Sequence, residues 1–337
     1  MGSYTVTLNS TDIKIINLLK HNEYVSGESI AKELGISRTS VWKTVKKIST
    51  LGLISKATSG KGYTLAKDIN LLNKDSIVQK LNVEAQNLFK IKVSDVVEST
   101  NKVLFEAAKS GNKLGFNVLL AEQQSNGRGR LGRNWITPFA HQLAVSCHFS
   151  LDTGVANLYG LSLAIGISII DVLKDLGCNE LGLKWPNDIY TVNDHKKVGG
   201  ILIEMQQEAE GPLHLVIGLG INCLFTDSLD NISDVEISSL DQVGMHINRN
   251  DLCAEILNAF SKIYIELIKG KNIDSYLAKW PKYNVFHNKA VLVQKNDGEV
   301  IRGVDSGIDK DGSLVVKSTG KTHKIYGNLC SIRLEGK

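Results

Sequence analysis

Hydrophobic residues at helical spacing characterise the first part of the chain. Apolar positions in residues 11–20 fall on one face and predict a first helix. Ser26-Gly27-Glu28 begins a short second helix that ends at Gly35, and Ser37 is a good N-cap for a third helix. The outer face of the third helix is polar and basic: Arg38, Thr39, Ser40, Lys43, Lys46 and Lys47. This order of elements predicts a helix-turn-helix, whose second helix enters the DNA major groove.

A small β-hairpin is predicted next. Two short apolar stretches, Leu53-Ile54 and Tyr63-Thr64-Leu65, flank a glycine-rich segment that contains Lys61. A basic hairpin tip suits a wing that contacts the DNA backbone, so residues 1–67 are predicted to form a winged helix-turn-helix domain. The same pattern also fits a basic three-helix domain that binds protein. Residues 68–82 show no firm pattern and are interpreted as a linker with a short helix.

The middle of the chain alternates apolar stretches of two lengths. Short runs at residues 93–97, 118–121, 143–149, 197–204 and 213–223 predict strands. Stretches at residues 103–108, 158–176 and 251–267 predict helices, and Gly177 is a good C-cap for the second of them. This mixture predicts an α+β domain, a mixed sheet with helices, over residues 83–283. From residue 288 onward, short strands separated by Asx-Gly turns predict a small β-barrel within residues 284–337.

Composition and charge narrow the class of protein. The first 67 residues hold ten Lys/Arg and four Asp/Glu, a balance of +6, so the remainder sums to −2 within the total of +4. This asymmetry favours nucleic acid as the partner of the first domain. The sequence contains neither an apolar run long enough to span a bilayer nor a signal segment, so a cytoplasmic location is predicted. Five scattered cysteines without a Cys-x-x-Cys pair indicate reduced thiols, and a structural transition metal is not expected.

One segment between two predicted strands combines three glycines and three arginines in seven residues, followed by Trp135: Gly127-Arg128-Gly129-Arg130-Leu131-Gly132-Arg133. Glycine lets backbone approach a ligand, and the arginine fork matches carboxylate and phosphate oxygens, so a loop that closes over an anion is predicted. Thr137-Pro138 and the intervening arginines do not fit a dinucleotide fingerprint, and Arg133-Asn134 stands where a P-loop needs Lys-Ser/Thr. A solvated basic loop is the alternative interpretation.

Two polar groups lie where predicted strands end. Ser99-Thr100-Asn101 stands at a helix start, where these side chains either face a polar ligand or cap the helix. Lys184-Trp185-Pro186-Asn187-Asp188 combines a lysine for phosphate with an aspartate for Mg²⁺ or its waters. A surface turn is the other interpretation of this second group.

A third polar group surrounds a glycine pair. Lys197 begins a strand in which Gly199 and Gly200 would let a ligand lie against the backbone, and Asn222 lies at the polar end of the following strand.

These motifs occur in the order found in biotin protein ligases, and the chain resembles that family over nearly its whole length. With a winged helix in front, it is similar to the bifunctional members that combine a biotin–[acetyl-CoA-carboxylase] ligase with a biotin operon repressor. Gly199 departs from the alanine or cysteine frequent in the family. The resemblance implies a class II synthetase-like central domain and an SH3-like C-terminal barrel.

The resemblance also implies an activity. ATP and biotin would form biotinyl-5′-adenylate, with Mg²⁺ and without a prosthetic group, and biotin would pass to a lysine of a biotin carboxyl carrier protein. The adenylate would be corepressor for a homodimer on operator DNA. A non-catalytic biotin-sensing transcription factor and a lipoate-type protein ligase are the alternatives. Retention of the basic residues disfavours the former, while the arginine loop and the winged helix disfavour the latter.

Site residues follow from the same resemblance. The implied biotin-binding residues are Ser99, Thr100, Asn101, Gln124, Arg128, Gly129, Arg130 and Lys197, of which Arg128, Arg130 and Lys197 are also catalytic. The implied nucleotide-binding residues are Trp135, Lys184, Asn187, Asp188, Asn222 and Arg333, with Asp188 also a Mg²⁺ ligand. The predicted DNA-binding residues are Ser37, Arg38, Thr39, Ser40, Lys43, Lys46, Lys47 and Lys61.

Overall fold

The described part of the chain divides into a small helical region, a large central sheet with helices, and a C-terminal sheet. A computed structural model describes residues 8–20, 24–54, 58, 60–66, 69–109, 114–151, 158, 160–207, 211–226, 235–327 and 330–336. Within these ranges, none of the helices combines the length and apolar character that crossing a bilayer would require.

Three N-terminal helices form as the pattern predicts: α1 (Ser10–Leu19), α2 (Gly27–Leu34) and α3 (Arg38–Ser49). Local side-chain bonds begin the second and third. The hydroxyls of Ser26 and Ser37 accept hydrogen bonds from the backbone N–H groups of Ser29 and Ser40, at 3.0 and 3.1 Å. Gly35 takes a left-handed conformation and ends α2. The helix-turn-helix prediction is confirmed in this geometry.

The predicted wing is described in part. Backbone bridges join Ile54 to Leu65 and Thr58 to Gly62, as in a short hairpin. Residues 55–57 and 59, which fall within the predicted hairpin, lie outside the described residues. Lys61 is exposed beside this bridge.

The linker contains one short helix, α4 (Lys74–Val78), as predicted, and a second short helix, α5 (Val83–Leu88), follows directly after it. A buried ion pair attaches the linker to the central domain. Nη2 of Arg249 lies 2.8 Å from Oε2 of Glu122, and both side chains are almost fully buried. Oε1 of Glu122 accepts a hydrogen bond from the backbone N–H of Leu72, and Arg249 donates to the carbonyl of Asn70. This network is costly to break, because either charge alone would remain buried without a partner.

The central sheet has eight strands: β1 (Ile91–Val97), β2 (Val118–Arg128), β3 (Asn134–Thr137), β4 (Gln142–Leu151), β5 (Leu181–Lys184), β6 (Asp188–Thr191), β7 (Lys197–Gln207) and β8 (Leu213–Asn222). Their order is β1-β2-β4-β8-β7-β6-β5, with β3 on β2. β1 runs parallel to β2 and the other pairs are antiparallel, so the predicted mixed sheet is confirmed.

Helices cover both faces of this sheet. On one face, α6 (Thr100–Lys109) places Leu104 against Leu119 and Val216. On the other, α7 (Leu161–Asp175) and α8 (Arg249–Ile268) contribute to the main hydrophobic core. The pattern predicted α7 from residue 158, but the helix begins at Leu161, and residues 152–157 and 159 lie outside the described part.

Strand β2 is longer than predicted. A strand over residues 118–121 followed by a loop was expected, yet β2 continues to Arg128. The reason is pairing with β3, in which Gln124 lies opposite Thr137 and Gly127 opposite Trp135. The first part of the predicted glycine-arginine loop is therefore the end of a hairpin strand.

Two short helices, α9 (Asp274–Leu277) and α10 (Trp280–Tyr283), precede the C-terminal sheet. Five strands follow: β9 (Ala290–Lys295), β10 (Val300–Ile308), β11 (Leu314–Ser318), β12 (Lys321–Ile325) and β13 (Cys330–Leu334). They form an antiparallel sheet in the order β12-β11-β10-β9-β13. Trp185 of the central domain donates a hydrogen bond to the carbonyl of Gly312 at 3.0 Å, which fixes this sheet against the central domain.

Candidate active site and nucleic-acid interface

Three glycines make a flat patch on the central sheet, here called the glycine floor: Gly200, Gly218 and Gly220. Gly200 of β7 lies opposite Gly220 of β8. A Cβ atom at Gly218 would lie 2.4 Å from Oδ1 of Asn101, and one at Gly220 would lie 2.4 Å from the ring of Trp135. Both side chains therefore rest directly on backbone, which requires glycine beneath them.

The two glycines predicted to admit a ligand lie on opposite faces. Successive residues of a strand alternate between faces. A Cβ at Gly200 would face Asp188 and Lys197, whereas a Cβ at Gly199 would press on the carbonyl of Gly220 and on core residues. The prediction that Gly199 lets a ligand approach is therefore wrong, because Gly199 serves the packing between β7 and β8.

The start of α6 brings together buried polar groups from three strands. Oε1 of Gln124 accepts from the backbone N–H of Thr100 at 2.8 Å and from its hydroxyl at 3.1 Å. The Thr100 hydroxyl lies 2.7 Å from Oγ of Ser146, and Gln124 donates to Oγ1 of Thr137 at 3.0 Å. Ser99 accepts from the backbone N–H of Lys102 at 3.4 Å, so Ser99 caps the helix while Thr100 turns towards the sheet.

Asn101 and Arg128 meet at the carboxylate of Glu204, which belongs to none of the predicted site motifs. Nη2 of Arg128 lies 2.7 Å from each carboxylate oxygen of Glu204, and Nδ2 of Asn101 donates to its Oε2 at 2.5 Å. Glu204 is the last residue of the Lys197-to-Glu204 stretch in which the strand was predicted. The partner of Glu204, Arg128, lies 76 residues away in the sequence. Local sequence patterns therefore could not identify this ion pair.

A second cluster collects two lysines around one carboxylate. Nζ of Lys197 lies 2.8 Å from Oδ1 of Asp188, and Nζ of Lys184 lies 3.7 Å from its Oδ2. Burial alone would raise the pKa of the Asp188 carboxyl, but the two ammonium groups outweigh it and hold that pKa below the ordinary value. Burial lowers the pKa of Lys184, and Asp188 opposes that change. Lys184 also donates to the hydroxyl of Tyr190 at 3.1 Å.

The glycine-arginine segment ends in a tight turn over Arg130–Gly132. Arg130 donates to Oδ1 of Asn187 at 2.8 Å and to the carbonyl of Gly327 in the C-terminal sheet region. Burial lowers the pKa of Arg130, against the attraction of Asp188. Gly129 donates from its backbone to the carbonyl of Arg133 at 2.7 Å. Arg130 thus connects the turn to the second cluster and to the C-terminal region.

Trp135 lies at one end of a hydrogen-bonded chain. Its Nε1 donates to Oε1 of Gln142 at 3.0 Å, and Gln142 donates to Oδ1 of Asn222 at 2.7 Å. Asn222 in turn donates to the carbonyl of Ser238 at 2.9 Å. Nζ of Lys197 lies 5.5 Å from the centroid of the Trp135 ring. Trp135 therefore lies beside Lys197 and is linked to Asn222 through Gln142, a residue that the sequence motifs did not identify.

Arg333 is the predicted site residue that remains apart. It is exposed on β13, where its backbone lies opposite Leu292. Among the described residues, no hydrogen bond or ion pair joins its side chain to the two clusters. Within the described part of the chain, no three His, Cys, Asp or Glu side chains are grouped so that they could hold a metal ion.

Five of the predicted DNA-binding residues are exposed on α3, while Lys61 lies in the wing and Ser37 and Lys47 have other contacts; the five are Arg38, Thr39, Ser40, Lys43 and Lys46. Ser37 caps the helix. Lys47 is occupied by an ion pair, because its Nζ lies 2.5 Å from Oδ2 of the buried Asp12 in α1. Trp42, which is not among the predicted residues, is 53% exposed on the same face, and Nζ of Lys46 lies 5.2 Å from the centroid of its ring. Thr39, Trp42 and Lys46 are separated by three and four residues and therefore lie on one face of the helix. This spacing was the signal in the sequence that could have identified Trp42.

The winged helix and the central domain share one hydrophobic cluster. Phe139 and Ala140, between β3 and β4, are buried in the cluster that includes Ile16, Ile48 and Leu53. This turn directly follows the strand that carries Trp135.

Comparison with known proteins gives consistent matches along the chain. The profile of the biotin/lipoate A/B protein ligase family matches residues 93–222, that of an HTH domain matches 12–64, and that of the biotin protein ligase C terminal domain matches 286–333. The bifunctional ligase/repressor BirA of Escherichia coli is 33% identical over 325 residues, 96% of this chain and 98% of that protein. The protein of the same name from Bacillus subtilis is 29% identical over 307 residues, 90% of this chain and 93% of that protein.

A solved structure supports the same fold. The biotin protein ligase from Aquifex aeolicus in complex with biotin and ATP superposes with a TM-score of 0.61 and 24% identity. The match covers 73% of this chain and 99% of that chain. The structural similarity concerns the arrangement of the helices and strands.

Proposed function

Because the chain belongs to the family of bifunctional biotin protein ligases and biotin operon repressors, we propose that it joins biotin to ATP and transfers biotin to a carrier-protein lysine. The intermediate is biotinyl-5′-adenylate. One observation carries the enzymatic part: Lys197, Lys184 and Arg130 converge around Asp188 beside the glycine floor. A cationic cluster of this kind suits the meeting of two anions.

The chemistry has two steps. A biotin carboxylate oxygen attacks the α-phosphorus of ATP, the bond to the β-phosphate oxygen breaks, and pyrophosphate leaves. The carrier lysine amine then attacks the acyl carbon, the amine loses a proton, and AMP leaves. In the first step, Lys197 and Arg128 oppose the repulsion between the carboxylate and phosphate charges. Lys197 is held for this by Asp188.

Biotin occupies the buried polar end of the site in this proposal. Ser99, Thr100, Asn101 and Gln124 surround its ureido group, and Gly129 and Arg130 close over it. The network of Thr100, Gln124 and Ser146 supports this role, because it gives the pocket both donors and acceptors in fixed positions.

The nucleotide occupies the other end. Trp135 provides a stacking surface for adenine, and Lys184, Asn187, Asn222 and Arg333 complete the nucleotide site in the proposal. The chain from Trp135 through Gln142 to Asn222 supports the first of these roles, because it holds the indole in one orientation. Arg333 rests on resemblance to the family alone.

Magnesium is proposed to enter with the nucleotide. Mg²⁺ commonly uses one or two carboxylates together with substrate phosphates, and it would offset phosphate charge here. Asp188 is the carboxylate of the second cluster, but lysines face both of its oxygens. Asp188 therefore fits contact with metal-bound water better than direct ligation, and its main role is to position Lys197.

The C-terminal region is proposed to be an SH3-like barrel that completes the site. We infer domain limits of 1–67, 83–283 and 284–337, with a class II synthetase-like central domain. The bond from Arg130 to the carbonyl of Gly327 supports a role for the C-terminal region in holding the arginine segment.

Repression is the second activity of the proposal. The winged helix binds operator DNA through α3 and the wing, and biotinyl-5′-adenylate promotes the homodimer that occupies two half-sites. A cytoplasmic location belongs to the same proposal, and the free, buried state of all five cysteines agrees with it. Sedimentation with and without the adenylate tests dimer formation: an unchanged sedimentation coefficient would contradict ligand-linked assembly.

Labelling of a carrier protein tests the enzymatic proposal. The protein is incubated with radiolabelled biotin, ATP, Mg²⁺ and a biotin carboxyl carrier domain, with a Lys→Arg carrier as control. Label on the acceptor lysine of the unmodified carrier is the expected result. Biotin binding without labelling would favour a non-catalytic sensor. Labelling with lipoate in place of biotin would favour a lipoate-type ligase.

A further inference from the structure

Glu204 joins two side chains of the biotin end of the site. Both of its oxygens lie 2.7 Å from Nη2 of Arg128, and Oε2 also accepts from Nδ2 of Asn101 at 2.5 Å. Arg128 comes from the end of β2, and Asn101 from the first turn of α6. The carboxylate on β7 is therefore the common contact between two separate elements.

Each partner uses a single nitrogen for this contact. In the described part of the chain, Nε of Arg128 and Oδ1 of Asn101 are buried and have no hydrogen-bond partner. Buried polar atoms normally have hydrogen-bond partners. Two such atoms without partners, on residues that share the same carboxylate, therefore indicate that a ligand binds there. One is a donor on a cation and the other is an acceptor on an amide.

We propose that Glu204 is a positioning residue that fixes Asn101 and Arg128 so that Oδ1 of Asn101, which lies over Gly218 of the glycine floor, and Nε of Arg128 are both available to the substrate. The inference rests on the proposed function. A ligand that suits these two atoms must have both an N–H group and an anionic oxygen. Biotin and its adenylate have both. Asn101 Oδ1 accepts from a ureido N–H, and Arg128 Nε donates to an anionic oxygen of the same ligand.

The charge of Glu204 is essential to this arrangement. Both oxygens of the carboxylate face Nη2 of Arg128, so a glutamine in either orientation would place its amide N–H groups against that donor. Glu204→Gln thus keeps the shape of the side chain and misaligns one partner. Glu204→Asp keeps the charge, but its shorter side chain reaches only one partner.

Biotin binding to the full-length protein, measured by titration calorimetry, provides the test. Glu204→Gln is expected to weaken biotin binding about tenfold, because a charge-assisted hydrogen bond of this kind contributes enough energy for such a change. The biotin affinity of Glu204→Asp is expected to lie between those of the wild-type protein and Glu204→Gln. The control is Glu335→Gln, since Glu335 pairs with Arg302 on the exposed C-terminal sheet, with Nε and Oε1 3.4 Å apart; wild-type affinity is expected there.

A double-mutant cycle separates positioning from general stability. In an Asn101→Ala background, Glu204→Gln is expected to weaken biotin binding less than about threefold, because the two residues act together. An equal loss in both backgrounds would overturn the inference, as would unchanged affinity of Glu204→Gln in the wild-type background. If Glu204→Gln does not fold, the same comparison with Glu204→Asp decides. Failure of the wild-type protein to bind biotin would reject the proposed function itself.

Discussion

Nζ of Lys197 lies 2.8 Å from Oδ1 of Asp188 and 5.5 Å from the centroid of the Trp135 ring. This ammonium group therefore stands between the half-buried carboxylate of Asp188 and the surface proposed for adenine. In the proposed mechanism, this position between Asp188 and Trp135 is the reason that Lys197 acts on the phosphate joined to biotin.

Replacing Lys197 is expected to abolish the first half-reaction. Lys197→Met removes the charge that opposes the two anions, and ATP–pyrophosphate exchange in the presence of biotin should fall by roughly 10²-fold or more. Lys196→Met provides a matched control at the neighbouring position and should retain exchange. Normal exchange by Lys197→Met would remove Lys197 from the proposed chemistry.

Replacing Arg130 is expected to separate formation of the adenylate from its retention. Arg130→Gly loses the bonds to Asn187 and to the carbonyl of Gly327, so the turn should open while Lys197 remains in place. Release of labelled adenylate, measured by rapid gel filtration, should speed up about tenfold or more. Arg133→Gly, in the same turn but exposed, serves as control. Tight retention by Arg130→Gly would show that the turn does not hold the intermediate.

Adding one methyl group to the glycine floor is expected to displace Trp135. In Gly220→Ala, the new Cβ would lie 2.4 Å from the indole, whereas in Gly200→Ala the nearest atoms lie at 3.4 and 3.5 Å. The KM for ATP should rise about tenfold in the first variant and much less in the second, because a lost stacking contact is worth on the order of 1 kcal/mol. Equal KM values in the two variants would contradict stacking of adenine on Trp135.

Lysines of α3 are expected to differ in their effect on DNA binding. Lys46 is free to reach phosphate, but Lys47 is paired with Asp12. In anisotropy titrations with a duplex selected by the wild-type protein from a random pool, Lys46→Ala should reduce the salt slope by about 1. Lys47→Ala should change that slope less and lower the melting temperature more. The reverse order of slopes would show that Lys47 leaves Asp12 to bind DNA.

Acid is expected to destabilise the central sheet through a buried histidine pair. Nε2 of His148 lies 3.1 Å from Nδ1 of His214, and burial, followed by the charge of His214, lowers the pKa of His148 from 6.5 to about 4. The unfolded chain therefore binds more protons between these values, and stability is lost as the pH falls through that window. After allowance for solvent screening, wild type should lose about 2 kcal/mol more than His148→Gln between pH 6.5 and 4. The free energy of unfolding of both proteins is measured from thermal unfolding at several pH values. An equal loss for wild type and His148→Gln between pH 6.5 and 4 would contradict this prediction.

Local signals account for the elements that sequence reasoning recovered. Ser26 and Ser37 cap their helices through bonds to residues three positions ahead, so the cause and its effect lie in the same short segment. Apolar runs likewise predicted β4 and β8. Nearly all residues of these two strands are buried, and strands buried on both faces have continuous runs of hydrophobic residues.

The remaining features depend on partners that are distant in sequence. β2 extends to Arg128 because it pairs with β3, and the alternation that separates Gly199 from Gly200 is set by pairing with β8. Glu204 acquires its contacts because β7 passes the first turn of α6 and the end of β2. The motifs predicted which residues belong to the site, while the register of the sheet determines which of their atoms meet.

Phe139 and Ala140 belong to the turn between β3 and β4, yet the core that covers them is that of the winged helix. The winged-helix domain therefore cannot be exchanged for another one without a change in the surface that it packs against. A winged helix transplanted from another regulator would need an apolar underside matched to Phe139, and a ligase shortened to its catalytic part would need polar residues at both positions. The boundary visible in the chain order does not coincide with the boundary of the folded units.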